Sequence, residues 1–308
     1  MEQRPTWSGA TIMGGLGSDK LPYMHGVSPA EQERLEAGAK LFGGAEFLPP
    51  LHPGMSVVEV GCGTGAIARE VAAKVAPGQV IGVDREEAQL ETAKRLAVDQ
   101  GITNVRFLRD DAAAIDLPDN TCDAAYCRFL LEHVADPVEV VGELARVVKP
   151  GGWVCAYEWD NTLEAMYPEA PAHREVWQGI YTYQEKLGGE PRIARKLYRV
   201  FLDAGLGDIQ AEARVWSVTG GEPEKLRMFV EGAREIISQT RDGLLRDKLI
   251  IPETLARADA EYELLLNTPY TYIAEGFCLA IGNVETRARS GFCVANTPTP
   301  LLPLDKGG

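Results

Sequence analysis

Short apolar runs alternate with helical segments over residues 55–160 of the chain. Most runs are too short for helices and are rich in β-branched residues, which is typical of buried strands. Such alternation requires right-handed crossovers, so we predict an α/β fold with a doubly wound, mostly parallel sheet. The predicted strands are Ser56–Val60, Gln79–Val83, Val105–Leu108, Cys122–Cys127 and Trp153–Glu158, separated by helices at about Ala66–Val75, Glu86–Gln100 and 136–149.

The regular alternation of predicted strands and helices ends after Glu158. Helices inserted late in such a sheet lie over the carboxyl ends of the strands, where ligands bind. We therefore expect a helical cap over a pocket, with a purely structural extension as the alternative. The elements are a helical stretch at about Asn161–Ala204, a strand near Asp208–Ser217, helices at about Glu222–Lys248 and Pro252–Asn267, and a last strand near Gly276–Val284.

A separate helix is predicted before the first strand. Ser28-Pro29-Ala30-Glu31 has the residues of a capping box, and the amphipathic run to Phe42 ends at two glycines. We divide the chain into an N-terminal arm (1–27), a core (28–160), cap insertions with the last strands of the same sheet (161–285) and a flexible tail (286–308). The arm could exchange between subunits and build a homo-oligomer.

The amino-acid composition limits which kinds of binding partner we expect. The 308 residues carry a formal charge of −14, which repels phosphate backbones, so we expect no nucleic acid partner. No apolar stretch is long enough to span a bilayer, and the first residues lack a signal-peptide pattern. Six cysteines without a CxxC pair fit a reduced chain. These features predict a soluble, cytoplasmic protein without membrane contact.

The strongest chemical signal is Glu59-Val60-Gly61-Cys62-Gly63-Thr64-Gly65 after the first strand. Glycines at a strand-to-helix turn let the backbone approach a ligand closely. Gly61, Gly63 and Ala66 also satisfy the dinucleotide fingerprint, and Asp84 follows where a ribose-binding carboxylate belongs. A nicotinamide-dependent dehydrogenase is therefore an open alternative at this point.

Acidic residues at successive strand ends discriminate between these ligands. Glu59 would be a poor neighbour for a pyrophosphate but suits a positively charged ligand. Asp84 suits a ribose diol, and Asp111, after the third strand, could bind an adenine amino group. The three acids describe a ligand with an amine, a ribose and an adenine but no phosphate.

The sequence resembles the class I S-adenosylmethionine-dependent methyltransferases, in particular the branch acting on small molecules in secondary metabolism. The resemblance implies a Rossmann-like sheet of seven strands, with an N-terminal helical arm and a helical cap. It is carried by the glycine-rich motif, Asp84, Asp111-Ala112, 129–133 and 144–152, and it covers about residues 28–160 well. The segment Tyr23-Met24-His25-Gly26 also resembles N-terminal segments that fold over the cofactor in such enzymes.

The resemblance implies that S-adenosyl-L-methionine is the cofactor. Its methionine part would lie beside the glycine-rich turn and the segment after the fourth strand, its ribose at Asp84 and its adenine at Asp111. The residues implied to bind it are Tyr23, Glu59, Gly61, Cys62, Gly63, Asp84, Arg85, Asp111, Ala112, Cys127 and Arg128.

Methyl transfer from a sulfonium needs orientation and exclusion of water, but no metal. The four histidines lack metal-ligand spacing, so we predict no metal site. His133 is our candidate general base, with a structural hydrogen bond as the alternative. Glu158, Trp159 and Asp160, at the end of the fifth strand, are candidate substrate-binding residues. The acceptor atom stays open between oxygen, nitrogen and carbon.

The predicted function is methyl transfer to a small organic acceptor. Two alternatives keep the fold: a cyclase that uses the adenosyl ligand structurally, and a protein methyltransferase. The dehydrogenase is the remote alternative, because the acids at the strand ends disfavour a pyrophosphate.

Overall fold

The computed structural model describes residue 21 and residues 23–285. The predicted flexible tail and most of the predicted arm lie outside the described residues, so the homo-oligomer built through the arm stays a prediction.

The described residues form one sheet with helices on both faces. The strands are β1 (Ser56–Val60), β2 (Gln79–Asp84), β3 (Val105–Arg109), β4 (Cys122–Arg128), β5 (Val148–Tyr167), β6 (Gly207–Thr219) and β7 (Tyr272–Asn283). The helices are α1 (Pro29–Leu41), α2 (Ala66–Val75), α3 (Glu87–Asp99), α4 (Pro137–Val147), α5 (Pro171–Lys186), α6 (Leu197–Asp203), α7 (Pro223–Arg246) and α8 (Pro252–Asn267).

The strand order is β3-β2-β1-β4-β5-β7-β6. Only β7 runs antiparallel to its neighbours, β5 and β6, whereas the other pairs are parallel. This confirms the predicted doubly wound, mostly parallel α/β fold of seven strands. The order reverses between β1 and β4, so a ligand crevice is expected at the carboxyl ends of these two strands.

Alternating side chains of the strands pack into two hydrophobic cores, one on each face of the sheet. Val57 packs with Ile67 and Val71 of α2 on one face, whereas Val58 packs with Leu144 of α4 on the other. All five side chains are nearly or fully buried. Period-two alternation of a strand buried on both sides explains why β1 is apolar at almost every position.

The end of β5 differs from the sequence prediction. We predicted that the strand ends at Glu158 and that a helical stretch begins at Asn161, but β5 continues to Tyr167 and α5 begins at Pro171. Beyond a register shift, Glu164 pairs with Glu275 and Tyr167 with Tyr272 of β7. Long-range pairing therefore overrides the helix-forming residues of this segment.

The predicted helical cap is formed by α5, α7 and α8, which pack on one another and on the far ends of β5 and β7. Helix α1 packs against both α2 and α7 and so bridges the core and the cap. Ser28 begins α1 as predicted, since its Oγ accepts a hydrogen bond from Glu31 N at 3.1 Å.

Candidate functional site

The turn between β1 and α2 presents bare backbone to the crevice. Gly61, Gly63 and Gly65 have positive φ angles of +72°, +52° and +73°. A Cβ at Gly61 would lie 2.8 Å from Leu130 Cδ1, and one at Gly65 would lie 2.7 Å from the Phe107 ring. Because larger residues would be strained or would collide, the turn requires glycine.

This turn forms one wall of a cavity of about 250 Å³, which we call the first cavity. The structure brings ten of the eleven predicted cofactor residues to it, together with His133 and Trp159. The ten are Tyr23, Glu59, Gly61, Cys62, Gly63, Asp84, Arg85, Asp111, Ala112 and Arg128.

Asp84 lies at the end of β2 and supports the glycine-rich turn. Its Oδ2 accepts a hydrogen bond from Gly63 N at 2.8 Å, and its Oδ1 accepts one from Glu86 N at 2.9 Å. Burial raises the pKa of Asp84, and the two N–H groups oppose that rise. In the loop after β3, Asp111 Oδ1 accepts a hydrogen bond from Ala113 N at 3.0 Å, which fixes the conformation of that loop.

Four side chains of the first cavity have buried polar atoms without a hydrogen-bond partner among the described residues. The atoms are Oε2 of Glu59, both amide atoms of Gln89, Nε and Nη2 of Arg128, and Nε1 of Trp177. Burial raises the pKa of Glu59 to about 8, although the Tyr126 hydroxyl and the charge of Arg128 oppose this rise. Burial lowers the pKa of Arg128. Unpaired buried groups of both charge types are costly, so they fit a ligand with both an ammonium and a carboxylate.

The segment before α1 closes the first cavity. The Tyr23 hydroxyl donates to Glu31 Oε1 at 2.9 Å, and Arg34 donates twice to the Glu31 carboxylate at 2.7 Å. Gln239 Nε2 of α7 donates to Glu31 Oε2 at 3.0 Å. Fully buried Glu31 therefore joins the segment, α1 and α7, a role beyond that of the capping-box residue we predicted.

The side chain of His133 contacts this segment. Its ring meets the rings of Tyr23 and His25 edge to face, with centroids 5.7 and 5.5 Å away. Its Nδ1 lies 3.3 Å from Gln184 Nε2 of α5. Burial lowers the pKa of His133, so the imidazole is neutral near pH 7 and able to accept a proton.

Cys127 is the predicted cofactor residue that does not line the first cavity. Its side chain is fully buried in the core beneath the sheet. Its neighbour Phe129 adopts a positive φ of +53°, and Phe129 N donates to Tyr157 O at 2.9 Å. Arg128, the last residue of β4, and Phe129, the first residue of the turn, line the first cavity, whereas the side chain of Cys127 points into the core.

The predicted substrate-binding trio separates in the structure. Trp159 lines the first cavity, but buried Glu158 accepts hydrogen bonds from Leu130 N and Leu131 N at 3.1 and 2.9 Å. Asp160 accepts a hydrogen bond from Arg195 Nη2 at 2.7 Å. Successive side chains of a strand face opposite sides, so the three cannot share one face. We therefore restrict the acceptor-facing prediction to Trp159.

Glu158 instead fixes the loop after β4. Burial, with the nearby charge of Glu132, raises the pKa of Glu158 to about 8, and the loop N–H groups oppose the rise. Glu158 Oε2 has no hydrogen-bond partner within the described part of the chain, which suits a protonated oxygen.

A second cavity of about 360 Å³ adjoins the first. It lies among α1, α5, α7 and the paired ends of β5 and β7. Seven residues line both cavities, namely Arg34, Gly38, Phe42, Trp159, Trp177, Tyr181 and Ile236. Most of the shared wall is apolar or aromatic, so the two cavities meet across a surface suited to an organic ligand.

Sequence reasoning missed several cavity residues. Gln89 is a buried polar residue in the first turn of α3. It could have been noticed in the sequence, because it follows Asp84 by only five positions. Trp177 and Tyr181 form part of an aromatic run, but their spacing is equally typical of a core. Ile236 and Glu275 carry no local signal, because only the folded chain brings α7 and β7 to the site.

Two negative observations complete the site. Among the described residues, no group of three or more His, Cys, Asp or Glu side chains is placed to hold a metal ion. No helix in residues 23–285 combines the length and the apolar character needed to cross a bilayer.

Comparison with known proteins supports the methyltransferase class that the sequence resembles. Residues 58–156 match the family model of the methyltransferase domain. The sterol 24-C-methyltransferase of Yarrowia lipolytica is 35% identical over 148 residues, which cover 47% of this chain and 37% of that protein. An uncharacterised methyltransferase of Schizosaccharomyces pombe is 30% identical over 188 residues, which cover 57% of this chain and 66% of that protein. The chain thus spans little more than a third of the sterol methyltransferase.

Solved structures show the same fold. A candidate methyltransferase of Bacillus halodurans superposes with a TM-score of 0.51 at 18% identity, covering 80% of this chain and 98% of that one. A phosphoethanolamine N-methyltransferase of Haemonchus contortus has a TM-score of 0.50 at 16% identity, covering 82% of this chain and 52% of that one.

The fold, the glycine-rich turn and the matched domain define a class I S-adenosylmethionine-dependent methyltransferase domain. This confirms the family that the sequence resembles and, with it, S-adenosylmethionine as the cofactor of the class.

Proposed function

We propose that the chain transfers a methyl group from S-adenosylmethionine to a small organic acceptor, in secondary metabolism. The observation that carries this proposal is a pair of charged side chains of the first cavity, Glu59 and Arg128, each with buried atoms that have no hydrogen-bond partner among the described residues. An acid and a base with free hydrogen-bonding atoms are complementary to the ammonium and the carboxylate of an amino acid. The adjoining second cavity offers space for the acceptor.

The residues of the first cavity account for each part of the cofactor. Glu59 would hold the ammonium and Arg128 the carboxylate of the methionine part. Asp84 would bind the ribose hydroxyls, with Gln89 as a further donor and acceptor. Asp111, at the next loop, would bind the adenine amino group.

The chain's own residues would position the reactants and manage the proton. When bound, the cofactor supplies a methyl group activated by a sulfonium. The aromatic wall shared by the two cavities would exclude water and orient the acceptor. His133, neutral at pH 7, would accept a proton from an acceptor that loses one on methylation.

Isothermal titration with S-adenosylmethionine, S-adenosylhomocysteine and NAD⁺ tests the cofactor assignment. We expect micromolar binding of both adenosyl ligands and no binding of NAD⁺, because NAD⁺ has a pyrophosphate in place of the ammonium that Glu59 would bind. Binding of NAD⁺ alone would overturn the proposal. Formation of S-adenosylhomocysteine during turnover then separates methyl transfer from a cyclase that retains its cofactor intact.

A further inference from the structure

The second cavity contains two glutamates that directly oppose each other. Glu164 of β5 and Glu275 of β7 are partners in the antiparallel register, so their side chains lie on the same face of the sheet. Both line the second cavity. Like charges directly opposite each other destabilise a sheet, so this pair requires compensation.

Hydrogen bonds hold both carboxyl groups in place. His173 Nε2 lies 2.5 Å from Glu164 Oε1, and the other ring nitrogen of His173 lies 2.7 Å from the Tyr262 hydroxyl. Trp159 Nε1 donates to Glu275 Oε2 at 3.1 Å. The carboxyl groups are thus fixed between the cap and the indole that faces both cavities, instead of moving freely on a solvated surface.

The rest of the second cavity is aromatic and acidic. Its rings belong to Phe42, Trp159, Trp177, Tyr181 and Phe229, and its further acids are Glu33, Glu231 and Glu235. Among the described residues, Arg34 is the single basic residue of this lining, and its guanidinium is already paired with Glu31. An anionic acceptor would therefore be repelled, whereas aromatic faces and carboxylates both attract a cation.

We propose that Glu164 and Glu275 are the specificity-determining pair of the acceptor site and select an apolar amine. This inference rests on the proposed function, because it assigns the second cavity to the methyl acceptor. A protonated amine supplies the positive charge that the opposed carboxyl groups lack, and its apolar body matches the aromatic walls. The nitrogen must be neutral to accept a methyl group, so the bound ammonium would pass one proton to the ionised carboxylate of the pair, and the carbon–sulfur bond of the sulfonium would break as the carbon–nitrogen bond forms. Burial and the neighbouring Glu164 both raise the pKa of Glu275, so two negative charges at these opposed positions are unfavourable without a neighbouring cation.

Three probes of similar shape and different charge test this inference. They are 4-butylbenzylamine, 4-butylbenzyl alcohol and 4-butylbenzoate, titrated into the full chain saturated with S-adenosylhomocysteine. We expect the amine to bind about tenfold more tightly than the alcohol, and the benzoate not to bind. Equal binding of the amine and the alcohol, binding of the benzoate, or no binding of the amine would overturn the inference.

The double variant E164Q/E275Q connects the preference to these residues. It keeps an acceptor oxygen for Trp159 Nε1 and should lose the tenfold preference for the amine. The matched control E224Q/E253Q removes the same charge from exposed positions of the cap that line neither cavity, and it should keep the preference. Unchanged affinity for S-adenosylhomocysteine shows that each variant is folded. A preference that survives in E164Q/E275Q, or is lost equally in the control, contradicts the assignment.

The two proposals fail separately. If wild-type protein does not bind S-adenosylhomocysteine, the proposed function is wrong. If it binds S-adenosylhomocysteine but shows no preference for the amine, only the assignment of Glu164 and Glu275 is wrong.

Discussion

The two cavities are built in different ways. The first cavity takes most of its polar groups from loops that follow consecutive parallel strands, within residues 59–133. The residues that line the second cavity lie on α1, β5, α5, α7 and β7, between positions 30 and 275 of the chain. Parallel strands place their carboxyl ends side by side, so a local sequence pattern is sufficient to describe the first cavity. Only long-range packing creates the second.

The two cavities also differ in how their polar atoms are satisfied. Glu59, Gln89 and Arg128 of the first cavity keep unpartnered atoms within the described chain, which fits a cofactor of fixed shape. The acids Glu164 and Glu275 of the second are bound to His173 and Trp159. This difference suggests a cofactor site that is completed by its ligand and an acceptor site that is largely organised beforehand.

His133 lines the first cavity, and its loss should have the largest effect. If it accepts the proton that the acceptor loses on methylation, His133→Ala should lower the rate of S-adenosylhomocysteine formation about 100-fold with any amine that the wild-type protein methylates. Affinity for S-adenosylhomocysteine should not change. His52→Ala, at an exposed position, is the control and should retain full activity. A fully active His133→Ala variant would show that the role of His133 is structural.

Asp84 tests the first cavity alone. Asp84→Ala removes the acceptor of the Gly63 N–H bond and the proposed ribose ligand, so affinity for S-adenosylhomocysteine should fall by roughly 1–3 kcal/mol. Asp116→Ala is the matched control, because Asp116 is exposed and does not line the cavity. Isothermal titration measures both variants, and unchanged affinity in Asp84→Ala would refute the ribose assignment.

The raised pKa of Glu59 predicts a pH dependence specific to the first cavity. Below its pKa of about 8, Glu59 is protonated in the free protein, and a bound ammonium favours the carboxylate. Binding should therefore release a proton, and affinity for S-adenosylhomocysteine should rise between pH 6 and 8 by at most about tenfold per pH unit. Above pH 8 this rise should stop.

Glu59→Gln should remove the pH dependence, whereas Glu46→Gln, at an exposed site, should preserve it. Titrations in buffers of different ionisation enthalpy count the released protons directly. Wild-type binding without proton release would contradict the placement of the ammonium beside Glu59.

The smallest effect is expected at α1, which contributes to both cavities. Ser28→Ala removes the N-cap hydrogen bond to Glu31 N and should lower the free energy of unfolding by about 1 kcal/mol. Urea denaturation measures this change. Ser28→Asp, which keeps a capping oxygen, should restore the stability, and failure to do so would show that the cap contributes little.

The sequence allowed much of the first cavity to be predicted. Helix α2 and strand β1 have the predicted bounds, and β2 and β3 each extend only one residue further. The turn at Gly61 and the acids Asp84 and Asp111 lie where the pattern placed them, because short-range glycine and strand-end signals determine these positions.

The second cavity could not be predicted in this way. Glu164 was assigned to a helical stretch, and its pairing with Glu275 depends on a contact between segments more than 100 residues apart. Glu158 and Asp160 were interpreted as substrate-facing because they flank Trp159, but strand alternation places them on the opposite face. Local propensity contains neither of these tertiary relations.

The central claim is that Glu59 and Arg128 recognise the amino acid part of the cofactor. Isothermal titration with S-adenosylhomocysteine and with 5′-methylthioadenosine, which lacks that part, tests it most directly. We predict that wild-type protein binds S-adenosylhomocysteine about 100-fold more tightly, and that E59Q/R128M loses most of this preference. Equal affinity of the wild-type protein for the two ligands would contradict the account.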